Sequence, residues 1–290
     1  MTTRRTFIMN SSLVAATILT FPSLAFTMSK KEIGLQLYTL RDELLNNVKT
    51  VLEKVAAAGY VTVETYGFSI KDQFWGLSPV ELKKILDANN LKAISGHYGI
   101  GSFLANGNTT ELKAAIEAAK ILKSEYLTIP WVDPPFRNNI DDYKKIASRL
   151  NEAGKMCQKA GLKLAYHNHD FEFENYNGLT GYDILLKETD HDLVFFELDL
   201  YWVVRSEKNP LQLFKENPGR FKMWHVKDMD KLKPALNTEI GSGSIDFKPI
   251  FKEIQRSGMK HFFVEQENNF VINSFESIKT SCDFISNNLI

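Results

Sequence analysis

Lys163-Leu164-Ala165-Tyr166-His167-Asn168-His169 follows directly on a long amphipathic stretch, Asp141–Ala160, that Gly161 closes. A short apolar run after a closed helical segment reads as a buried strand, one half of a βα repeat. The same rhythm extends outward in both directions. Further β-rich runs lie at Ile33–Tyr38, Val61–Tyr66, Lys92–His97, Tyr126–Pro130, Val194–Asp199, Phe221–Lys227 and His261–Gln266, making eight at intervals of 27–40 residues. Between them run helical patterns. Asp42–Ala58 places Leu44, Leu45, Val48, Val51, Leu52 and Val55 on one stripe before Gly59. Ser78-Pro79-Val80-Glu81 combines an N-cap, a first-turn proline and an acid at the third position. Phe247–Ser257 stops at Gly258, with Asp246 as its cap, and Ser274–Asn287 ends the chain.

Strands that alternate with helices require a parallel sheet covered by those helices. Eight units predict a single (β/α)8 TIM barrel over residues 29–290. An open doubly wound sheet would carry a Gly-rich turn after its first strand, whereas Leu37-Tyr38-Thr39-Leu40-Arg41-Asp42 stands there.

The 290 residues hold 35 Lys+Arg against 35 Asp+Glu, so no basic footprint for nucleic acid exists. Two cysteines, Cys157 and Cys282, supply neither a disulfide framework nor a zinc module. Residues 1–25 carry Arg4 and Arg5, a weakly apolar run Ser11–Leu19, Pro22 and a small-x-small site at Ser23-Leu24-Ala25. Thr3-Arg4-Arg5-Thr6-Phe7-Ile8 resembles a twin-arginine signal, so export to the periplasm is expected, with no stable membrane association after cleavage. The run is shorter than the ~20 residues of a membrane span. Removing the two arginines leaves 33 positive against 35 negative groups.

A barrel keeps its active site at the C-terminal ends of its strands. There the sequence sets Glu64, His97, His167 and His169, Glu197 and Asp199, His225 and Lys227, Glu265 and Glu267. Polar groups of this kind are costly inside strands unless paired or metal-bound. Residues two apart share a face, so the last four strands aim an imidazole, a carboxylate, an imidazole and a carboxylate at one point. That N/O set suits one divalent ion, Mn, Zn, Co or Mg.

The stretches Gly34–Asp42, Tyr166–Phe173, Glu197–Trp202, His225–Asp228, Gly241–Phe247 and Val264–Glu267 resemble the xylose isomerase-like TIM-barrel superfamily, in particular its sugar phosphate isomerase/epimerase members. The resemblance implies one divalent ion held from strands 5 to 8. Carried over, the ligands are His167, Asp199, His225 and Glu265. His167 stands where the epimerase pattern has glutamate, with His169 or Glu172 as alternative fourth ligands. The structural alternative for the set is buried ion pairing.

The resemblance implies a small carbohydrate substrate and abstraction of a proton α to a carbonyl through an enediolate. Glu265 is the expected base, with His167, His169 and Lys227 as acids or second bases. His97, Glu64, Trp202, Trp131 and Glu172 are the expected substrate contacts, against ordinary packing or ion pairing for each. His191 and His261 are expected to be incidental. Reprotonation would make the protein a metal-dependent sugar isomerase/epimerase. The alternative is a lyase that loses a β-substituent from a keto-sugar or keto-glycoside, favoured by the altered strand-5 ligand and by export. A homodimer is left open.

Overall fold

The computed structural model describes residues 32–290; the expected signal segment lies outside them. Eight strands close a parallel barrel: β1 Gly34–Gln36, β2 Thr62–Phe68, β3 Lys92–Tyr98, β4 Tyr126–Ile129, β5 Lys163–His167, β6 Val194–Asp199, β7 Phe221–Val226 and β8 His261–Val264. Each pairs with its neighbours in chain order, and β1 closes on β8 through Gly34–Phe263 and Leu35–Val264. The expected (β/α)8 barrel is therefore the observed fold. Among the described residues, no helix is long and apolar enough to cross a membrane.

The helices start where local chemistry starts them. Ser78 accepts from Glu81 N (3.3 Å) while Glu81 Oε2 accepts from Ser78 N (2.9 Å), opening Pro79–Ala88. Asp246 caps Phe247–Lys252 through Lys248 N at 3.1 Å. The stripe over 42–58 is broken in two, Arg41–Leu44 and Val48–Ala57. Asn47 causes the break, because its side chain takes Thr50 N (3.0 Å) and begins a new helix. The segment 247–257 divides likewise, into Phe247–Lys252 and Ile254–Ser257.

Period-two alternation stacks the interior in layers. Ala165, Met223 and Phe263 join Ile94 and Tyr126 in an apolar plug, with Phe195 packed against it. Two residues further along, the same strand faces carry His167, Glu197 and His225, and Glu265 follows directly on β8. Outward faces, such as Tyr166, Phe196, Leu198, Trp224 and Val264, pack in the large core shared with the helices. The polar layer thus rests on a dry floor, where charges cannot be solvated and must satisfy one another.

Beyond β7, Asp228 fixes a loop. Its carboxylate accepts from the backbone N–H of Met229 (2.8 Å), Gly241 (2.9 Å), Gly243 (3.0 Å) and Ile245 (3.2 Å).

Candidate functional site

A cavity of about 470 Å³ opens at the C-terminal ends of the strands. His97, His167, His169, Trp131, Trp202 and Glu265 line it, six of the residues the sequence singles out. Tyr38, Tyr66, Phe68 and Glu267 complete much of its wall. The sequence alone assigns no role to the three aromatic residues and marks Glu267 only as a strand-end companion of Glu265. The signals that could have found them are two tyrosines ending the first two β-runs and a glutamate sharing the face of Glu265.

Two expected contacts lie elsewhere. Glu64 is fully buried, and its Oε2 accepts from Gln36 Nε2 (2.6 Å) and contacts His225 Nε2 (2.7 Å), so it cannot meet substrate directly. Glu172 is also fully buried. It accepts from Tyr166 Oη (2.6 Å) and His169 N (2.8 Å), which makes it a support for the His169 backbone rather than a wall of the cavity. Strand β5 ends at His167, so His169 sits in the following loop, its ring 5.1 Å from Trp131 and 5.6 Å from Trp202.

Asp199, His225 and Glu265 converge, with one donor atom of each within 4.8 Å of the others. His225 Nδ1 is 3.1 Å from Glu265 Oε2 and 3.9 Å from Asp199 Oδ2. Asp199 is held in place by its neighbours. Its backbone N–H donates to Asn168 Oδ1 (3.0 Å) and its Oδ1 accepts from Trp202 N (3.0 Å). The other oxygen, Oδ2, is buried without a hydrogen-bond partner among the described residues. Two carboxylates and an imidazole nitrogen around an unpartnered oxygen fit a divalent ion. His167 falls into an adjoining group with His97, Glu197 and His225. Its Nδ1 lies 3.2 Å from Glu197 Oε2 but out of line for a hydrogen bond.

Lys227 supplies the charge balance. Its Nζ lies 3.2 Å from Glu265 Oε2 and 3.9 Å from Asp199 Oδ2, and it donates to Glu267. The ammonium also lies 5.3 and 5.4 Å from the Tyr201 and Trp202 ring centres.

Burial disfavours charge on all these groups, and their neighbours decide which keep it. Against burial, Glu64 and Glu197 push His97 up to about 9. Glu197 and Glu265 raise His225 likewise. Lys227 and His225 hold Glu265 well below the usual carboxylate range, and Glu265, Asp199 and Glu267 keep Lys227 charged. Burial, with the charge of His225, lowers His167; burial and Lys227 bring His169 down to about 3, so both rings are neutral. Asp199 rises to about 7 by burial, with Lys227 and His225 opposing it.

A family profile described as xylose isomerase-like TIM barrel matches residues 52–287. The chain belongs to that family. It is an enzyme fold, and the relatives are enzymes. Inosose dehydratase of Clostridium botulinum is 27% identical over 240 residues, covering 71% of this chain and 77% of its own length. That of Clostridium beijerinckii is 26% identical over 266 residues, covering 80% and 86%. Among solved structures, a sugar phosphate isomerase/epimerase from Parabacteroides distasonis superposes with a TM-score of 0.79 at 27% identity, covering 90% of this chain and 96% of that one. The IOLI protein with a bound zinc atom shares the fold, with a TM-score of 0.70 at 17% identity over 88% and 97% of the two chains. Within the family, names of isomerases and of dehydratases therefore both meet this chain, and both Clostridium relatives are dehydratases.

Proposed function

We propose that this family member is a divalent-metal-dependent lyase acting on a keto-sugar or keto-cyclitol. It removes a proton next to the carbonyl and expels a β-oxygen substituent as water or an alcohol. The observation that carries this reading is the double position of Glu265, which belongs to the Asp199–His225 cluster and also lines the cavity. A base is thereby placed beside the point where a carbonyl would be polarised.

Asp199, His225 and Glu265 would hold the ion, which supplies Lewis-acid polarisation of the substrate carbonyl. Glu265 is ionised through His225 and Lys227, and it takes the α-proton. The proton then leaves with the departing oxygen. Lys227, charged and fixed beside Glu265, offsets the negative charge that builds on the substrate. His169 Nδ1 and Trp202 Nε1 are buried without hydrogen-bond partners among the described residues. Those two atoms are closed off from the cavity, whereas the Trp131 and Trp202 rings give its wall apolar faces.

Isomerisation, the leading expectation from sequence, shares the first step but then returns the proton to the enediolate and leaves the β carbon–oxygen bond intact. The dehydratase names of the relatives support elimination instead. Export through the twin-arginine route forms part of the same proposal, and it favours a substrate without phosphate. Proton NMR in D2O with inosose and keto-glucosides decides between the outcomes. An unsaturated ketone with released water or alcohol supports elimination. Deuterium incorporation with no unsaturated product overturns it in favour of isomerisation.

A further inference from the structure

Beside the Asp199–His225–Glu265 set, two imidazoles and two carboxylates form a closed ring. His97 Nε2 stands 2.8 Å from Glu197 Oε2 and 3.1 Å from Glu64 Oε2. His225 Nε2 stands 2.7 Å from the same Glu64 oxygen and 3.2 Å from the same Glu197 oxygen. His167 Nδ1 approaches from a fifth direction, 3.2 Å from Glu197 Oε2.

The number of hydrogens limits how many of these contacts are linear hydrogen bonds. Each Nε2 carries at most one, so at most two of the four sides can be hydrogen bonds. The two shortest sides, His97–Glu197 and His225–Glu64, have hydrogen-bond geometry. The other two sides and the His167 contact are close nitrogen–oxygen approaches without hydrogen-bond geometry. Glu64 Oε1, Glu197 Oε1 and His167 Nδ1 are buried and unpartnered as well. Two carboxylates converging in a dry site are unfavourable unless cations stand beside them, and a divalent ion meets that need. One donor atom each of His97, His167, Glu197 and His225 lies within 4.8 Å of the others, close enough for one ion to reach them all.

We infer that Glu64, His97, His167, Glu197 and His225 form a second divalent-cation site beside the Asp199–His225–Glu265 set. The donors are three imidazole nitrogens and two carboxylate oxygens, which suit zinc, cobalt or manganese. His225 serves both sites, Nε2 to the second and Nδ1 to the first. Holding both ions at once would require both ring nitrogens to give up their protons to solvent. An ion reaches the second site from the cavity, because His97 and His167 line both. The inference is independent of the elimination reading.

The test is zinc binding to the full chain after stripping with chelator, followed by calorimetry and by elemental analysis after dialysis. Asp199→Asn/Glu265→Gln disables the first site and is expected to retain one zinc per chain. Adding Glu197→Gln to that background is expected to weaken zinc at least 100-fold. His97→Gln is the second route to the same loss should the first variant fail to fold, and circular-dichroism melts report folding. Absence of zinc from the folded Asp199→Asn/Glu265→Gln chain overturns the inference, as does a loss of under tenfold on removing Glu197 or His97. Either result leaves the first site and the elimination reading standing, because neither readout uses turnover.

Discussion

His225 is gripped on both ring nitrogens, with Glu64 Oε2 2.7 Å from Nε2 and Glu265 Oε2 3.1 Å from Nδ1. Both carboxylates are buried, and one side chain neutralises both. Replacing it leaves three glutamates (Glu64, Glu197 and Glu265) without that partner. His225→Asn is expected to cost about 3–5 kcal/mol, the usual cost of leaving a buried charge unpaired. Urea unfolding of the stripped protein measures it, and a change below about 1 kcal/mol would show that the ring carries no such charge.

Turnover is expected to disappear on dialysis against a chelator and to return with zinc, manganese or cobalt. Stripped protein that keeps full activity would remove the metal from the mechanism.

Lys227→Met keeps the length of the side chain and deletes the ammonium beside Glu265 and Glu267. The expected fall in kcat is about 100- to 1000-fold, typical of losing one preorganised charge at a reacting group. A steady-state assay checks it, with a thermal melt to show that the barrel still forms. Turnover within fivefold of wild type would relegate the lysine to rim packing.

Trp131→Ala removes an apolar face from the cavity and touches none of the proposed metal ligands. KM is expected to rise roughly 5- to 30-fold, equivalent to about 1–2 kcal/mol of lost contact, with kcat nearly unchanged. A change confined to kcat would place the indole in the chemistry rather than in binding.

Glu172 gives the stability a pH dependence of definite sign. Burial raises its carboxyl to about 7 in the folded protein, against an ordinary value near 4.5. The protonated form is the one the fold prefers. Its contribution is therefore complete below pH 4.5 and lost as pH rises through 7, at up to about 1.4 kcal/mol for each pH step between those two values. Glu172→Gln is expected to be no more stable than wild type at pH 4.5 and more stable at pH 8. Urea midpoints at the two pH values measure the crossing, and parallel curves would contradict it.

The barrel was legible in the sequence because period-two runs and capping signals act locally: Val194–Asp199 is a strand over its full predicted span, and Ser78 and Asp246 cap where they should. The last residues of the strands were harder. Glu265 and Glu267 lie past β8, and His169 past β5, in loops whose direction no alternation rule governs. Glu64 and Glu172 misled for a related reason. A carboxylate near a strand end looks the same in sequence whether it faces the cavity or a buried partner. Only the partners, Gln36 and His225 for one and Tyr166 for the other, separate the two cases.

Asp228 carries a practical lesson for redesign. Four backbone donors tie it to its own strand end and to the loop 241–245, and Lys227 precedes it in the chain. Changes in that loop would be felt at the ammonium without any altered residue touching a ligand. A library aimed at new specificity should leave 239–246 alone and randomise the rim around Tyr66, Phe68 and Trp131, where the cavity wall can be recut while its charged floor stays in place.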